Sequence, residues 1–383
     1  MKNAIPKEKH DIGIFSFFTG AGFLDLGFED AGFKSYLANE IDHNFARVYT
    51  YSRQCLGKAM PVFGLKEGNV CDYIEDENAE RDLTEKIAEA RKTLKYVGFI
   101  GGPPCPDFSV GNANAKGEKG ERGKLTKTYV ELICRQNPDF FVLENVKGLL
   151  STAKHRVFFN RMMTLLHNAN YATTYRLINA LEYGAAQDRQ RVILIGIKLP
   201  LCVNKNVDAR TALIQDFPWS KFVKYDIKEV FKINWPTTDK FVENGHRKIP
   251  RGIIPELTVQ HWFEKNDVDN HPNANDYFTP RAGLVKMRLY DEGDDSKKCY
   301  KRIHRWRYSP TACYGNNEVH LHPYHARRLS VAETLAIQSL PRQFALPPDI
   351  TLSAKFKTIG NGVPYVAAYG VAQTLMKYLR GLQ

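Results

Sequence analysis

Cys105 is the residue best placed by its sequence context for nucleophilic chemistry. Pro104 precedes it, Pro106 follows it, and the apolar segment 96–100 with two glycines leads into it. Proline fixes its own φ and pushes the preceding residue towards an extended backbone, so the thiol is held stiffly at the end of a predicted strand. A positioned thiolate is a good nucleophile, although a lone cysteine is more often a buried structural residue.

Glu144 is a candidate acid, and two arginines are candidate partners for a substrate. Glu144 directly follows four apolar residues, and burial at a strand end would raise its pKa and make it a usable general acid. The alternative is a helix cap or an ion pair. Arg189 and Arg191 alternate along a predicted extended segment and so point the same way. They could reach into a cleft to grip a base carbonyl or a phosphate, or protect an exposed sheet edge.

A glycine-rich turn at residues 19–22 follows the first predicted strand, 12–18, and opens a helix. Such turns let the backbone approach a ligand and direct a helix N-terminus at it. Glu40 lies about 20 residues further on, where an acidic side chain can accept hydrogen bonds from ribose hydroxyls. Together these features predict a nucleoside-bearing cofactor; an ordinary tight turn is the alternative.

Basic segments predict contact with a polyanion. Residues 111–124 combine glycines with lysines and an arginine, which indicates either a solvated loop or a mobile lid that closes on phosphate. Residues 297–328 interleave basic and aromatic side chains, which suits phosphate contact and base stacking. Three histidines at 320, 322 and 325 fit no standard zinc spacing, so no metal is predicted. The candidate DNA contacts are Ser109, Lys116, Lys119, Arg122, Arg302, Arg305 and Arg307.

The elements that must position these residues alternate between strands and helices up to about residue 198. The pattern predicts a Rossmann-like α/β fold with a mostly parallel sheet, one antiparallel strand and the candidate residues gathered at the carboxyl ends of the strands. Beyond residue 198 the periodicity is poor. We therefore place a domain boundary there, between a first α/β domain at 1–198 and an irregular second part that begins at residue 199.

Composition agrees with an intracellular protein that binds nucleic acid. The 383 residues carry a net charge of +12, and 43% are hydrophobic, as in folded proteins. Seven cysteines without a CxxC pair indicate reduced thiols rather than a disulfide framework. The charged N-terminus and the absence of long apolar stretches predict a cytoplasmic protein with no membrane contact.

The motifs in this order resemble those of the DNA (cytosine-5)-methyltransferases of bacterial restriction–modification type. The resemblance spans nearly the whole chain and lies in the first motif at 15–27, the acidic ribose motif at 39–40, the Pro-Cys motif at 102–105, the Glu-Asn-Val motif at 144–146, the Gln-x-Arg-x-Arg motif at 187–191, the ninth motif at 328–341 and the tenth at 360–364. Four positions depart from the family pattern: Phe23 replaces a glycine, Asn69 an aspartate, Pro106 a glutamine and Gly362 an alanine. None of these removes a catalytic group.

The resemblance implies methyl transfer from S-adenosyl-L-methionine to C5 of a cytosine flipped out of double-stranded DNA. Cys105 would be the nucleophile, with Glu144, Arg189 and Arg191 completing the catalytic set. The implied cofactor-binding residues are Phe18, Gly20, Ala21, Gly22, Phe23, Leu24, Glu40, Ile41, Asn69, Val70, Pro104, Leu125, Asn361 and Val363. It further implies that residues 1–198 form a catalytic and cofactor-binding domain, that residues 199–345 form a smaller target-recognition domain, and that residues 346–383 return to the catalytic domain. The same resemblance implies a monomer that protects host DNA beside a cognate restriction endonuclease.

Three other functions remain open from the sequence. Some family members of this size methylate tRNA, although the complete Gln-x-Arg-x-Arg motif and the long variable region favour DNA. A catalytically silent DNA-binding regulator would not need an intact Cys105 and Glu144. A nucleotide-dependent dehydrogenase would leave these two residues and the basic second part unexplained.

Overall fold

A seven-stranded sheet forms the centre of the molecule. The computed structural model describes residues 11–104, 121–280, 282–296, 300–311, 314 and 319–382. For residues 121–123 it describes the backbone alone. The strands are β1 (Ile12–Phe17), β2 (Lys34–Glu40), β3 (Leu65–Glu67), β4 (Tyr96–Gly101), β5 (Phe140–Val146), β6 (Tyr171–Asn179) and β7 (Gln190–Lys198).

Their order in the sheet is β3-β2-β1-β4-β5-β7-β6, and β7 runs antiparallel to both of its neighbours. The prediction of a mostly parallel α/β sheet with one reversed strand is thereby confirmed. The connection from β6 to β7 is too short for the crossover helix that a parallel pair would need, which explains the reversal. The edge strand β3 is only three residues long.

Among the described residues, seven α-helices accompany the first six strands: α1 (Phe23–Asp30), α2 (His43–Cys55), α3 (Asp72–Glu75), α4 (Glu77–Arg91), α5 (Glu121–Gln136), α6 (Gly148–Ser151) and α7 (Ala153–Asn168). Several begin at a side-chain cap that the sequence provides. Asp42 accepts hydrogen bonds from the backbone at the start of α2, Asp76 does the same for α4, and Thr152 caps α7.

Both faces of the sheet are covered by apolar side chains. One face packs against α4, α5 and α7, where Leu83, Tyr129 and Leu166 are buried. The other packs against α1 and the C-terminal helix α13 (Tyr365–Arg380). A Cβ added at Gly27 of α1 would lie 2.7 Å from Cβ of Ala368 in α13, so these two helices approach very closely.

After β7 ends at Lys198, the described chain is mostly irregular, with isolated bridges and short helices. These are α8 (Ile227–Lys232), α9 (Val259–Asn266), α10 (Leu284–Met287), α11 (Val331–Ile337) and α12 (Leu352–Asn361). Its largest apolar cluster joins Trp262, Phe263 and Leu335 to Phe23 of α1, so the irregular part shares a core with the glycine-rich turn region. No helix within the described ranges is long and apolar enough to cross a membrane.

Candidate active site

The carboxyl edge of the sheet brings together most of the described candidate residues. β1 ends just before the glycine-rich turn, β2 ends at Glu40, and β5 carries Glu144 near its end. Because β7 is reversed, its beginning lies at this same edge, where Arg191 is paired with Val146. One edge therefore collects a turn suited to a cofactor, a buried acid and an arginine.

Glu144 and Arg191 form a buried ion pair. Arg191 Nε lies 2.8 Å from Glu144 Oε1, and the carboxyl side chain is 11% exposed. Burial raises the pKa of Glu144, an effect that Arg191 and Arg189 partly oppose. The other carboxyl oxygen faces Gly102, where an added Cβ would lie only 2.7 Å from Oε2. Glycine at this position therefore lets the carboxyl group lie beside the chain that leads to residue 105.

Arg189 has a different environment from the one that its spacing predicts. It is buried, with 1% of its surface exposed, and its Nη2 donates a hydrogen bond of 2.8 Å to the carbonyl of Gly360. The prediction that both guanidiniums reach into a cleft is thus corrected for Arg189. The positive charge of Arg189 favours the ionised form of Glu144 and so opposes the rise in its pKa that burial causes.

The segment that carries both arginines is fixed from the second part of the chain. Ser309 N donates to the Ala186 carbonyl and Asp188 N to the Ser309 carbonyl, both at 2.9 Å. The Thr311 hydroxyl donates to the carbonyl of Asp188 at 2.5 Å. Residues 309–311 were not among the predicted site residues, because a backbone pairing between distant segments leaves no mark in the sequence.

The glycine-rich turn has an unusual backbone that glycine partly explains. Gly20 and Gly22 have φ of 57° and 79°, and Phe18 has φ of 54° although it carries a side chain. Space around Gly20 is open, since nothing lies within 4 Å of an added Cβ. The Phe18 ring makes an edge contact with Tyr129 at 5.9 Å between centroids. The turn therefore presents backbone to an open region, as a ligand-binding turn must.

Glu40 joins this turn to the end of β2. Its Oε2 accepts from Gly20 N at 2.8 Å, and its Oε1 accepts from Ile41 N and Asp42 N at 2.9 and 2.8 Å. Burial raises the pKa of this carboxyl group, while the three backbone hydrogen bonds oppose that rise. The sequence spacing of about 20 residues thus reflects a direct contact between Glu40 and the turn.

The remaining predicted cofactor residues differ in their accessibility. Ile41 and Asn69 are exposed, and Asn69 Oδ1 accepts from Cys71 N at 3.0 Å; Val70 is buried. Of the others, Pro104 and Asn361 are exposed, Leu24 and Leu125 are half-buried, and Ala21, Phe23 and Val363 are buried. The buried members can shape the site but do not offer their side chains to a ligand in this conformation.

Two departures from the family pattern contact one another. A Cβ added at Gly362 would lie 2.0 Å from Cδ2 of Phe23, so the Phe23 ring occupies the space that an alanine methyl group would need. The ring of Phe344 contacts Phe23 edge-on with centroids 5.2 Å apart. Phe23 and Gly362 are therefore matched in shape, although they are more than three hundred positions apart in the chain.

The structure contradicts two of the predicted DNA contacts and does not describe the side chains of four others. Cys105, Ser109, Lys116 and Lys119, together with the Arg122 side chain, lie outside the described residues. Arg302 and Arg305 are corrected: both are buried, at 0% and 4% exposure, so their guanidiniums cannot reach a phosphate.

Internal contacts explain the burial of these two arginines. Arg302 donates to the carbonyls of Tyr290 and Met287, at 2.8 and 2.6 Å, and its guanidinium lies 3.9 Å from the centroid of the Phe241 ring. Arg305 forms an ion pair with Glu292 at 2.8 Å. Of the three predicted arginines in the segment 297–328, only Arg307 is part-exposed.

Asp25 is a buried acid that the sequence reasoning missed. It is 0% exposed, and its carboxylate accepts hydrogen bonds from Ser16 Oγ at 3.0 Å and Thr19 Oγ1 at 2.7 Å. Its position three residues after Gly22, in the first turn of a helix, has the ordinary appearance of an acid placed at a helix N-terminus. The sequence signal that could have identified it is an acidic residue within an otherwise apolar run.

The described residues fit a nucleoside-bearing cofactor. The Glu40 carboxylate accepts a hydrogen bond from the turn at Gly20, and Ile41 beside it is 65% exposed. An exposed isoleucine next to a buried carboxylate suits a ligand that has both a flat apolar ring and hydroxyl groups. Within the described ranges, no group of three or more His, Cys, Asp or Glu side chains could hold a metal ion.

Comparisons with known proteins agree with this geometry. The family model for C-5 cytosine-specific DNA methylase matches residues 12–377. The Type II methyltransferase M.NmeDI of Neisseria meningitidis serogroup C is 51% identical over 98% of this chain and 86% of its own length. The Type II methyltransferase M.NgoPII of Neisseria gonorrhoeae is 27% identical over 99% of both chains.

A solved structure shows the same fold. It is a putative DNA modification methyltransferase encoded within a prophage of E. coli, which aligns with a TM-score of 0.65 and 21% identity over 96% of this chain and 99% of its own. The match of the family model to nearly the whole sequence confirms the resemblance that the motifs indicated. The chain therefore belongs to the C-5 cytosine-specific DNA methylase family, and it is a DNA (cytosine-5-)-methyltransferase.

Proposed function

We propose that this enzyme methylates C5 of one cytosine in a specific double-stranded DNA sequence through a covalent bond between Cys105 and C6 of the base. The target carbon is inaccessible inside a duplex, so the cytosine must flip out of the helix. C5 is a poor nucleophile until a thiolate adds to C6 and converts the ring into an enamine. After methylation the C5 proton leaves, the bond to sulfur breaks, and the thiolate is regenerated.

The observation that carries this proposal is the placement of Glu144. Its carboxyl group is buried, is paired with Arg191 and lies beside Gly102, three residues before Cys105. The described chain that follows β4 thus passes a buried acid at Gly102, and this contact supports Glu144 as the general acid of the proposed reaction.

Glu144 and the arginines have separate tasks in the proposed reaction. Burial raises the Glu144 pKa and so favours the protonated form, which can donate to N3 of the base as negative charge develops there. Arg191 holds Glu144 with Nε and the Gln190 carbonyl with Nη1, at 2.8 Å each. We propose that its remaining nitrogen contacts O2 of the cytosine. Arg189 anchors the segment to Gly360 and adds positive charge.

We propose S-adenosyl-L-methionine as the cofactor, because the family and the fold imply it and the described residues fit it. The cofactor supplies an electrophilic methyl group. Glu40 would accept hydrogen bonds from its ribose hydroxyls, and Ile41 would cover its adenine. The backbone of the turn at 18–22 would approach the rest of the molecule.

The domain roles and the biological context are part of the same proposal. Residues 1–198 and 346–383 would bind the cofactor and catalyse the reaction, and residues 199–345 would recognise the DNA sequence. The relatives named as type II methyltransferases support a role in modifying host DNA. We propose in addition that the enzyme is a cytoplasmic monomer that protects this DNA beside a cognate restriction endonuclease.

A mechanism-based trap tests the chemistry. In DNA that contains 5-fluorocytosine at the target position the fluorine cannot leave as a cation, so elimination is blocked and the enzyme should remain covalently bound. The adduct should form only when S-adenosyl-L-methionine is present, and mass spectrometry should locate it on Cys105. Cys105→Ser should bind DNA without forming the adduct, because a hydroxyl is far less ionised than a thiol at neutral pH.

Other outcomes of this experiment would contradict the proposal. A trap on RNA but not on duplex DNA would indicate a tRNA methyltransferase. DNA binding without any adduct would indicate a silent regulator. An adduct on another cysteine would show that the nucleophile is assigned wrongly.

A further inference from the structure

Asp25 is a buried acid to which the proposed reaction assigns no role. It lies in the first turn of α1, immediately after the glycine-rich turn. Its two oxygens accept from two hydroxyls: Ser16 Oγ donates to Oδ2 at 3.0 Å, and Thr19 Oγ1 donates to Oδ1 at 2.7 Å. Since Ser16 belongs to β1 and Thr19 to the turn, one carboxylate connects the strand, the turn and the helix.

The turn that Asp25 anchors is conformationally costly. Phe18 adopts a φ of 54°, and a left-handed backbone costs a residue with a side chain about 1–2 kcal/mol. Such a conformation persists only where its surroundings determine it. Thr19 N donates to the Asn39 carbonyl at 3.1 Å, and Gly22 N donates to the Thr19 carbonyl at 2.9 Å. Thr19 is thus fixed by its backbone to β2 and by its side chain to Asp25.

Asp25 and Glu40 hold two neighbouring residues of the same turn. Glu40 accepts from Gly20 N, whereas Asp25 accepts from the Thr19 hydroxyl. A ligand hydroxyl that donates to Glu40, as we propose for the cofactor, leaves the Asp25 contacts untouched. Asp25 can therefore keep the turn in one conformation whether or not a ligand is bound.

The charges around Asp25 come from two helices. Glu29 on its own helix and Arg53 on α2 act on it in opposite directions, and Tyr49 of α2 packs nearby. Arg53 is itself paired with Glu29 at 2.8 Å, so the cluster is largely balanced. Two hydroxyl donors and this balanced pair are the compensation that a buried carboxylate needs.

We infer that Asp25 is a positioning residue that acts through Thr19 to hold the turn at 18–22 ready for the cofactor. The inference rests on the proposed function, in which this turn binds S-adenosyl-L-methionine. Without the anchor the turn samples other backbone conformations, and binding must then include the cost of ordering it. The expected consequence is weaker binding of any ligand that contacts the turn, with little change in the chemical step at saturating cofactor.

The test compares two substitutions at Thr19 in the full-length protein. Thr19→Val keeps the shape and removes the hydroxyl, and Thr19→Ser keeps the hydroxyl. Loss of one hydrogen bond to a charged group should weaken binding by roughly tenfold or more in Thr19→Val, measured by calorimetry with S-adenosyl-L-methionine and with S-adenosyl-L-homocysteine. Thr19→Ser should bind within about twofold of wild type, and Asp25→Asn, which keeps one acceptor, should lie between them.

A control separates positioning from general loss of stability. Leu166 is fully buried in α7, on the other face of the sheet, and Leu166→Ala should lower Tm by creating a cavity there. We expect this variant to bind both ligands as wild type does. The single-turnover rate of Thr19→Val at saturating cofactor should stay within about threefold of wild type, so that its defect appears in KM rather than in kcat.

Several results would overturn the inference. The inference would be wrong if Thr19→Val bound the cofactor with an affinity within twofold of wild type. It would also be wrong if Thr19→Val and Thr19→Ser lost affinity equally. A defect confined to the cationic S-adenosyl-L-methionine would show that Asp25 acts by its charge and not by holding the turn. Failure of the wild-type protein to bind either ligand would instead refute the proposed cofactor.

Discussion

The contact between Phe23 and Gly362 predicts that these two residues, which both differ from the family pattern, depend on each other for stability. In Gly362→Ala the new Cβ would lie 2.0 Å from Cδ2 of Phe23, far inside van der Waals contact, although the backbone angles of residue 362 suit alanine. Inserting a methyl group into a packed site typically costs 1–3 kcal/mol, so we expect destabilisation of about 2 kcal/mol.

Removing the ring should reverse the effect of the methyl group. Phe23→Ala alone should cost about 3–5 kcal/mol, because a buried phenyl ring is replaced by a cavity. In that background Gly362→Ala has room for its methyl group and reduces the freedom of the unfolded chain, so it should be neutral or slightly stabilising. The two substitutions should therefore show a coupling free energy of about 1–3 kcal/mol.

Urea unfolding of the wild type, both single variants and the double variant measures this coupling. The matched control pairs Gly362→Ala with Phe33→Ala, another buried phenylalanine, which packs against Phe28 and Phe140 instead. That pair should be additive within about 0.5 kcal/mol. If Phe23→Ala and Gly362→Ala were equally additive, the two residues would not be matched and the packing argument would fail.

Four further outcomes are expected. Glu144→Gln should slow single-turnover methyl transfer by about a hundredfold or more while cofactor affinity stays within about twofold, and a rate near that of wild type would remove Glu144 from the acid role. DNA affinity should fall by roughly a thousandfold or more between 50 and 200 mM salt if several phosphates are contacted, whereas a flat titration would contradict the proposed partner. Thr311→Val should slow methyl transfer about fivefold relative to Thr311→Ser, because the hydrogen bond to the Asp188 carbonyl is lost; equal rates would show that this contact does not position Arg191. Burial raises the pKa of Asp25 to about 6, so its contribution to stability is fully present at low pH and is lost as the pH rises through 6. Relative to wild type, the unfolding free energy of Asp25→Asn should therefore be about 2 kcal/mol higher at pH 7 than at pH 4. Parallel pH profiles of the two proteins would exclude this pKa.

The sheet was predictable because its signals are local. Apolar runs with glycine or acidic ends marked β1, β2, β4 and β5, and the short link between β6 and β7 indicated their antiparallel pairing. A short strand gives a weaker sequence pattern, as in β3, which makes only three residue pairings with β2.

The candidate site was predictable only where the fold class already determines which residues lie together. Residues at the carboxyl ends of parallel strands must share an edge, so Glu40 and Glu144 could be placed there from the sequence. Arg302 and Arg305 could not be placed, since a basic residue in an irregular segment can face a phosphate or a buried carboxylate with the same local sequence. The contacts of Asp25 with Ser16 and Thr19 and of Gly362 with Phe23 depend on side-chain packing, which periodicity does not describe.

The packing of α13 on α1 has a consequence for the order of events during synthesis. The Tyr365 hydroxyl donates to Asp30 across 335 positions of the chain, and the Gly27–Ala368 contact joins the same two helices. Ribosomes add about 5–20 residues per second, so α1 leaves the ribosome roughly 20–70 s before its partner exists. During that interval the apolar face of α1 and one face of the sheet are uncovered, which makes the nascent chain a natural client for chaperones. Truncated products that end before α13 should be insoluble, and the cell's DNA should meet methylating enzyme only after translation has finished.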